Sequence, residues 1–164
     1  MDWLDILSDG FFAAIAAIGF GVISRPPLRA LPSIALLSAI GHAIRFCLMK
    51  YVQLDIATSS FFGSLVIGLA SLYLGGKQKC PNTVLFIPAL LPMIPGMYAY
   101  RTVFSLLSFL NNLSDLALRS EYMMSMFYNG IITCSVVFML AAGASVPIFL
   151  FSAKSYSLTR PGRS

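Results

Sequence analysis

Within residues 30–50 an apolar run holds one histidine and one arginine, His42 and Arg45, three positions apart. At 3.6 residues per turn that spacing puts both on one helix face, with Ser38 and Gly41 close beside them. A guanidinium grips a carboxylate through two parallel hydrogen bonds. An imidazole takes up and releases a proton near neutral pH. If the run crosses a bilayer, a charge near its centre costs about 2.5–3.5 kcal/mol on insertion scales. A chain carries such a cost where the charge is paired, lines a wet cavity or binds something. The plainer reading has Arg45 extending toward the headgroups and His42 hydrogen-bonded to a nearby carbonyl.

The stretch 91–101, LPMIPGMYAYR, is the second place where chemistry is available. Proline removes a backbone donor and clashes with the preceding turn. A helix break is therefore expected over 91–96, with a new helix starting after Pro95 and Gly96. The N-terminus of a half-helix in mid-membrane suits an anionic group. Tyr98 and Tyr100 add hydroxyls there, and Arg101 adds a fixed charge. The alternative is a proline kink followed by an interfacial helix, its tyrosines in the aromatic belt. Asp9 is the one acid that could be drawn into a span, as a proton or counter-ion site, a role also open to His42; otherwise it caps the first helix at the surface. Asn129, beside Tyr128, is either a polar contact of the fifth segment or a hydrogen-bonding link between helices.

No phosphate-binding loop, paired metal ligands or nucleophile–base pattern accompanies these residues, so no catalytic residue, metal or cofactor is expected, and the chain does not read as an enzyme. The three cysteines, Cys47, Cys80 and Cys134, are scattered and form neither a disulfide framework nor a metal-site spacing.

The elements that must position these groups are legible in the composition. The 164 residues are 58% hydrophobic and 10% charged, with a mean hydropathy of +0.84 and a net charge of +5. A soluble domain of this size carries about 25% charged residues. The polar surface is too small for a water-soluble globule, and no nucleic-acid partner is expected. The chain reads as an all-α integral membrane protein: a five-helix transmembrane bundle with a Pro/Gly-broken fourth helix. The expected spans are 4–23, 30–49, 56–74, 83–110 broken near 91–96, and 122–151. Together they form a single transmembrane domain over 1–153, followed by a basic tail over 154–164. The acidic start lacks the basic residues and cleavage site of a secretory signal, so the first segment is expected to remain in the mature protein. Residues 75–82 read as a plain turn, and 111–121 as the end of segment four followed by a short polar stretch.

Small residues recur every four positions at Ala13, Ala17 and Gly21, and at Ser60, Ser64 and Gly68, which allows close helix approach. Ala35, Ala39 and Ala43 form a similar stripe, and 141–145 suits tight packing or a kink. With five spans, one side of the membrane holds Arg25, Arg29, Lys77, Lys79, Lys154, Arg160 and Arg163. The positive-inside rule then places the C-terminus in the cytoplasm and the N-terminus outside.

Taken in order, Gly19-Phe20, the Pro27–Leu31 run PLRAL, Ile40-Gly41-His42 with Arg45, and the Pro92–Gly96 run PMIPG with Tyr100-Arg101 resemble the threonine/serine exporter family. The likeness is greatest to the small, membrane-only subunit of its split bacterial form, described as a probable succinate exporter. It is specific from about Gly19 to Arg101 and looser beyond, and it does not reach Arg25 or the tail. The resemblance implies one half of a ten-span secondary transporter in the bacterial inner membrane, working with a larger membrane subunit. It implies export of a small carboxylate metabolite, either a succinate-like dicarboxylate or threonine and serine, driven by the membrane potential or a proton gradient. Residue by residue, the resemblance reaches Arg29, His42, Arg45, Pro92, Pro95, Gly96, Tyr100 and Arg101. The residues themselves leave two competing readings open: a non-transporting assembly subunit and a channel.

Overall fold

The computed structural model describes residues 2–151. The expected tail over 154–164 lies outside the described residues. Those residues form six α-helices: α1 (Asp2–Ile23), α2 (Leu31–Tyr51), α3 (Ile56–Gln78), α4 (Asn82–Leu90), α5 (Gly96–Asn111) and α6 (Leu116–Leu150). Single 3₁₀ turns precede α2 at Leu28–Ala30 and follow α4 at Leu91–Met93. No strand occurs among the described residues. α1, the Leu28–Tyr51 stretch, α3 and α6 are long and apolar enough to cross a membrane, and α4 with α5 makes a fifth when the bent pair is counted as one span. The all-α membrane architecture with its interrupted fourth segment is therefore as the composition dictates.

Two boundaries differ most from the sequence reading. The glycine pair at 75–76 does not end the third helix, which continues to Gln78. A side chain at Gly75 would collide with the Asn82 side chain and lie 3.1 Å from the Cys80 carbonyl. This glycine serves the close return of the chain rather than a stop. Lys79 makes the stop, in the left-handed conformation at φ 52°, with Gln78 bonded to Ser33 of α2. The polar stretch before Glu121 is helical from Leu116, because Asp115 Oδ1 accepts the Ala117 and Leu118 amides at 3.0 and 3.2 Å and caps the helix. At 35 residues α6 is about 52 Å long, well beyond a hydrocarbon core of about 30 Å.

The chain divides into two compact units. The first runs up to Met93 and resumes at Met139; the second is Ile94–Phe138. In the first unit α1 and α2 form an antiparallel hairpin. The expected stripe on α1 is buried, with Ala13 4% and Ala17 0% exposed. Gly10 sits against the Ala39 backbone, and Ser38 Oγ donates to the Ala13 carbonyl at 3.1 Å. α3 crosses α2 where Gly63 faces Gly41: a Cβ on Gly63 would lie 2.9 Å from the Gly41 oxygen. The end of α6 packs equally closely on α3, since a Cβ on Gly143 would lie 2.4 Å from the Phe61 oxygen. Small residues thus set the helix spacing in a medium where apolar burial gives little drive.

In the second unit α5 and the first part of α6 are tied by hydroxyls. Ser105 Oγ bonds Ser125 Oγ at 2.9 Å between the two helices, while within α6 Asn129 Nδ2 donates to the Ser125 carbonyl at 2.7 Å. Ser105 and Asn129 are both buried.

Candidate functional site

The site is built on the α1–α2 hairpin. Counting back equal distances from its loop brings Asp9 opposite the His42–Arg45 turn. Asp9 Oδ2 lies 3.0 Å from His42 Nδ1. Asp9 sits in the third turn of α1, not at its cap. His42 lies next to the midpoint of α2, nine residues before its end, about 14 Å along the axis. Its side chain is 8% exposed, against 36% for Asp9. With Nδ1 held by a carboxylate, Nε2 is the free ring position, and it is buried without a hydrogen-bond partner among the described residues.

One turn on, Arg45 Nη1 donates to the Met93 carbonyl at 2.8 Å. That carbonyl belongs to the 3₁₀ turn that ends the first half of the broken span, so no continuing helix supplies it with a donor. The carbonyl at the proline break and the arginine of α2 satisfy one another. Gly63 lies against this site: its missing side chain leaves room for the Met93 methyl, which a Cβ there would approach to 2.7 Å, while the Arg45 Cβ stays at an ordinary contact distance of 3.6 Å. Met93 itself is fully buried. The Asp9 carboxylate also acts electrostatically on Arg45. Nearer the end of the hairpin, Lys50 Nζ pairs with Asp5 Oδ2 at 3.2 Å.

Asp9, His42, Arg45 and the Met93 carbonyl therefore converge in the first unit. Pro95, Gly96, Tyr98, Tyr100 and Arg101 belong to the second. Pro95 is buried, Gly96 and Arg101 are exposed, and Tyr98 is half-buried. Tyr100 is 64% exposed and stacks on Phe104 with centroids 6.2 Å apart. The start of α5 is not an open cluster of donors. The Gly96 amide bonds the Ile94 carbonyl at 2.8 Å, and the Tyr98 and Ala99 amides both reach the Pro95 carbonyl at 3.1 Å. Local carbonyls engage these three of the amides that the sequence reading offered to an anion.

Sequence reasoning missed the Met93 carbonyl as the partner of Arg45 and the Asp5–Lys50 pair. The hairpin register about the 24–29 loop was the signal for Asp5–Lys50 and Asp9–His42. Nothing in the sequence signals Met93, since a backbone acceptor carries no residue type.

Comparison with known proteins decides the family. The family model described as "Threonine/Serine exporter, ThrE" matches residues 9–150. The chain belongs to the threonine/serine exporter family. A curated protein of Haemophilus influenzae, described only as uncharacterized, is 32% identical over 149 residues, covering 90% of this chain and 48% of the relative. The chain thus spans about half the length of the curated relative it matches. No solved structure matches it. The exporter-family match starts at Asp9 and takes in the whole Asp9–His42–Arg45–Met93 cluster.

Proposed function

We propose that this chain is a subunit of a secondary-active exporter of small carboxylate metabolites, and not an enzyme. The observation that carries the reading is the Arg45 guanidinium held within α2 on the carbonyl of a broken helix, beside the Asp9–His42 pair. A guanidinium has five N–H donors. One bond to Met93 leaves others for a carboxylate, and a fixed cation in a low-dielectric bundle selects anions. Membership of an exporter family supports the same direction of use.

The substrate class is a succinate-like dicarboxylate or a threonine- or serine-like zwitterion. A zwitterion's ammonium needs an acid nearby, and Asp9 supplies one at His42. The partner is a larger membrane subunit, in keeping with a relative of about twice this length. The complex resides in the bacterial inner membrane, with the N-terminus of this chain outside and its C-terminus cytoplasmic, as the distribution of lysine and arginine favours. A non-transporting assembly role draws on one observation of its own: Arg45 and His42 each already hold a partner inside the bundle.

The experiment is efflux of labelled succinate or threonine from loaded proteoliposomes containing this chain with its larger subunit. Efflux that needs both chains supports the exporter reading. Efflux by the larger subunit alone, at the rate of the pair, assigns this chain to assembly.

A further inference from the structure

We propose that Ser59 is a second ligand of the substrate carboxylate at Arg45, its buried hydroxyl donating to the anion that the guanidinium holds. This rests on the exporter reading and adds a binding residue to it.

The register of α2 on α3 places Ser59 beside the site. A Cβ on Gly41 would meet the Ile67 side chain, and one on Gly63 would lie 3.6 Å from the Arg45 Cβ. The two helices therefore run antiparallel, with 41 beside 67 and 45 beside 63. Ser59 is one turn before Gly63 on the same face of α3, so it lies opposite Arg45 and the turn of α2 that follows. Ser59 is 0% exposed, and its Oγ has no hydrogen-bond partner among the described residues.

Its neighbours on α3 show what a buried serine does when it serves only its own helix. Ser60, Ser64 and Ser71 are equally buried, and each turns its hydroxyl back on the main chain, to the carbonyls of Ile56 at 2.6 Å, Phe61 at 2.9 Å and Gly68 at 2.7 Å. The matching acceptor for Ser59 is the Asp55 carbonyl, which takes the Ser59 amide at 3.0 Å and not the hydroxyl. A buried donor left unpaired costs free energy, and native chains seldom leave that cost uncompensated.

The chemistry of the site selects the ligand. The other unpaired polar atom here is His42 Nε2. With Nδ1 donating to Asp9, Nε2 is an acceptor, which suits an ammonium and repels a carboxylate. Arg45 and Ser59 are donors. Arg45 gives Nη1 to the Met93 carbonyl and keeps further N–H groups for an anion. A carboxylate offers about four lone-pair sites, more than one guanidinium edge fills. The Ser59 hydroxyl takes one of those remaining and adds no charge to the bundle.

The test is equilibrium binding of labelled succinate, with labelled threonine in a second series, to the chain assembled with its larger subunit in lipid nanodiscs. The melting temperature without ligand is read on the same samples. Ser59→Ala should weaken binding about tenfold, as expected for one hydrogen bond lost from a charged group. The same variant should melt higher than wild type without ligand, because the unpaired hydroxyl is gone. Ser60→Ala removes a hydroxyl already bonded to Ile56 and should leave affinity within about twofold of wild type. A Ser59→Ala affinity within about twofold of wild type overturns the assignment. So does a weakening that Ser60→Ala matches, or one that comes with a lower melting temperature. If the wild-type complex binds neither ligand, the exporter reading fails and takes this assignment with it.

Discussion

Gly63 is where the site and the packing of the bundle meet, and Gly63→Ala tests both. The added Cβ would lie 2.7 Å from the Met93 methyl and 2.9 Å from the Gly41 oxygen. The methyl ends a flexible side chain and can swing aside. The Gly41 oxygen is backbone and moves only with α2. Restoring ordinary contact at 3.4 Å from 2.9 Å separates α2 and α3 by about 0.5 Å. Overpacking of this kind costs about 1–3 kcal/mol. Alanine also favours a helix over glycine by about 0.8–1.0 kcal/mol, which offsets part of the loss. Gly19→Ala is the matched control, because a Cβ there meets nothing within 4 Å. The propensity gain cancels between the two variants. The difference in melting temperature should be about 2–12 °C, at about 2–4 °C per kcal/mol for a chain of this size. Thermal unfolding in detergent, followed by intrinsic fluorescence, measures it. Equal melting temperatures for the two variants would refute the close α2–α3 contact.

Removing the Asp115 cap with Asp115→Ala should cost about 1 kcal/mol at the start of α6; hydrogen exchange at the 116–119 amides should then quicken about fivefold while the rest of α6 is unchanged. A double-mutant cycle on Ser105→Ala and Ser125→Ala should return a coupling of about 0.6 kcal/mol, the usual size for a hydrogen bond between helices in a membrane; a coupling of zero contradicts the bond. At the start of α3, the Thr58 hydroxyl and then the Thr58 amide hold the Asp55 carboxyl below its ordinary pKa. Because the folded value is the lower one, the cap's contribution is complete at neutral pH and is lost as pH falls through that value. Thr58→Val should move this loss to higher pH, as read by a ¹³C titration of Asp55.

Membrane residence, the spans and the proline break were legible because each rests on residue type alone. An apolar run of about 20 residues, or two prolines three apart, means much the same in any fold. The small-residue stripe on α1 was legible too, since Ala13, Ala17 and Gly21 share a face by helical period. The glycine pair at 75–76 misled, because glycine marks close approach as readily as a chain end, and only the fold brings Asn82 against it. Asp115 was read as the close of one segment, although its carboxylate opens the next. At the site, His42 and Arg45 were visible as charges out of place. Asp9, although 33 residues distant, could be paired with His42 from the hairpin register; the partner of Arg45 could not be read, since Met93 offers only a main-chain oxygen.

The central claim is that the cation at the helix break handles the carboxylate. Efflux of succinate and threonine by Arg45→Gln, at equal amounts of assembled complex, tests it most directly. A charged hydrogen bond of about 1.5–3 kcal/mol lost from the transported anion should lower efflux at limiting substrate about 10- to 100-fold. Efflux within about twofold of wild type, from a complex of unchanged stability, would contradict it.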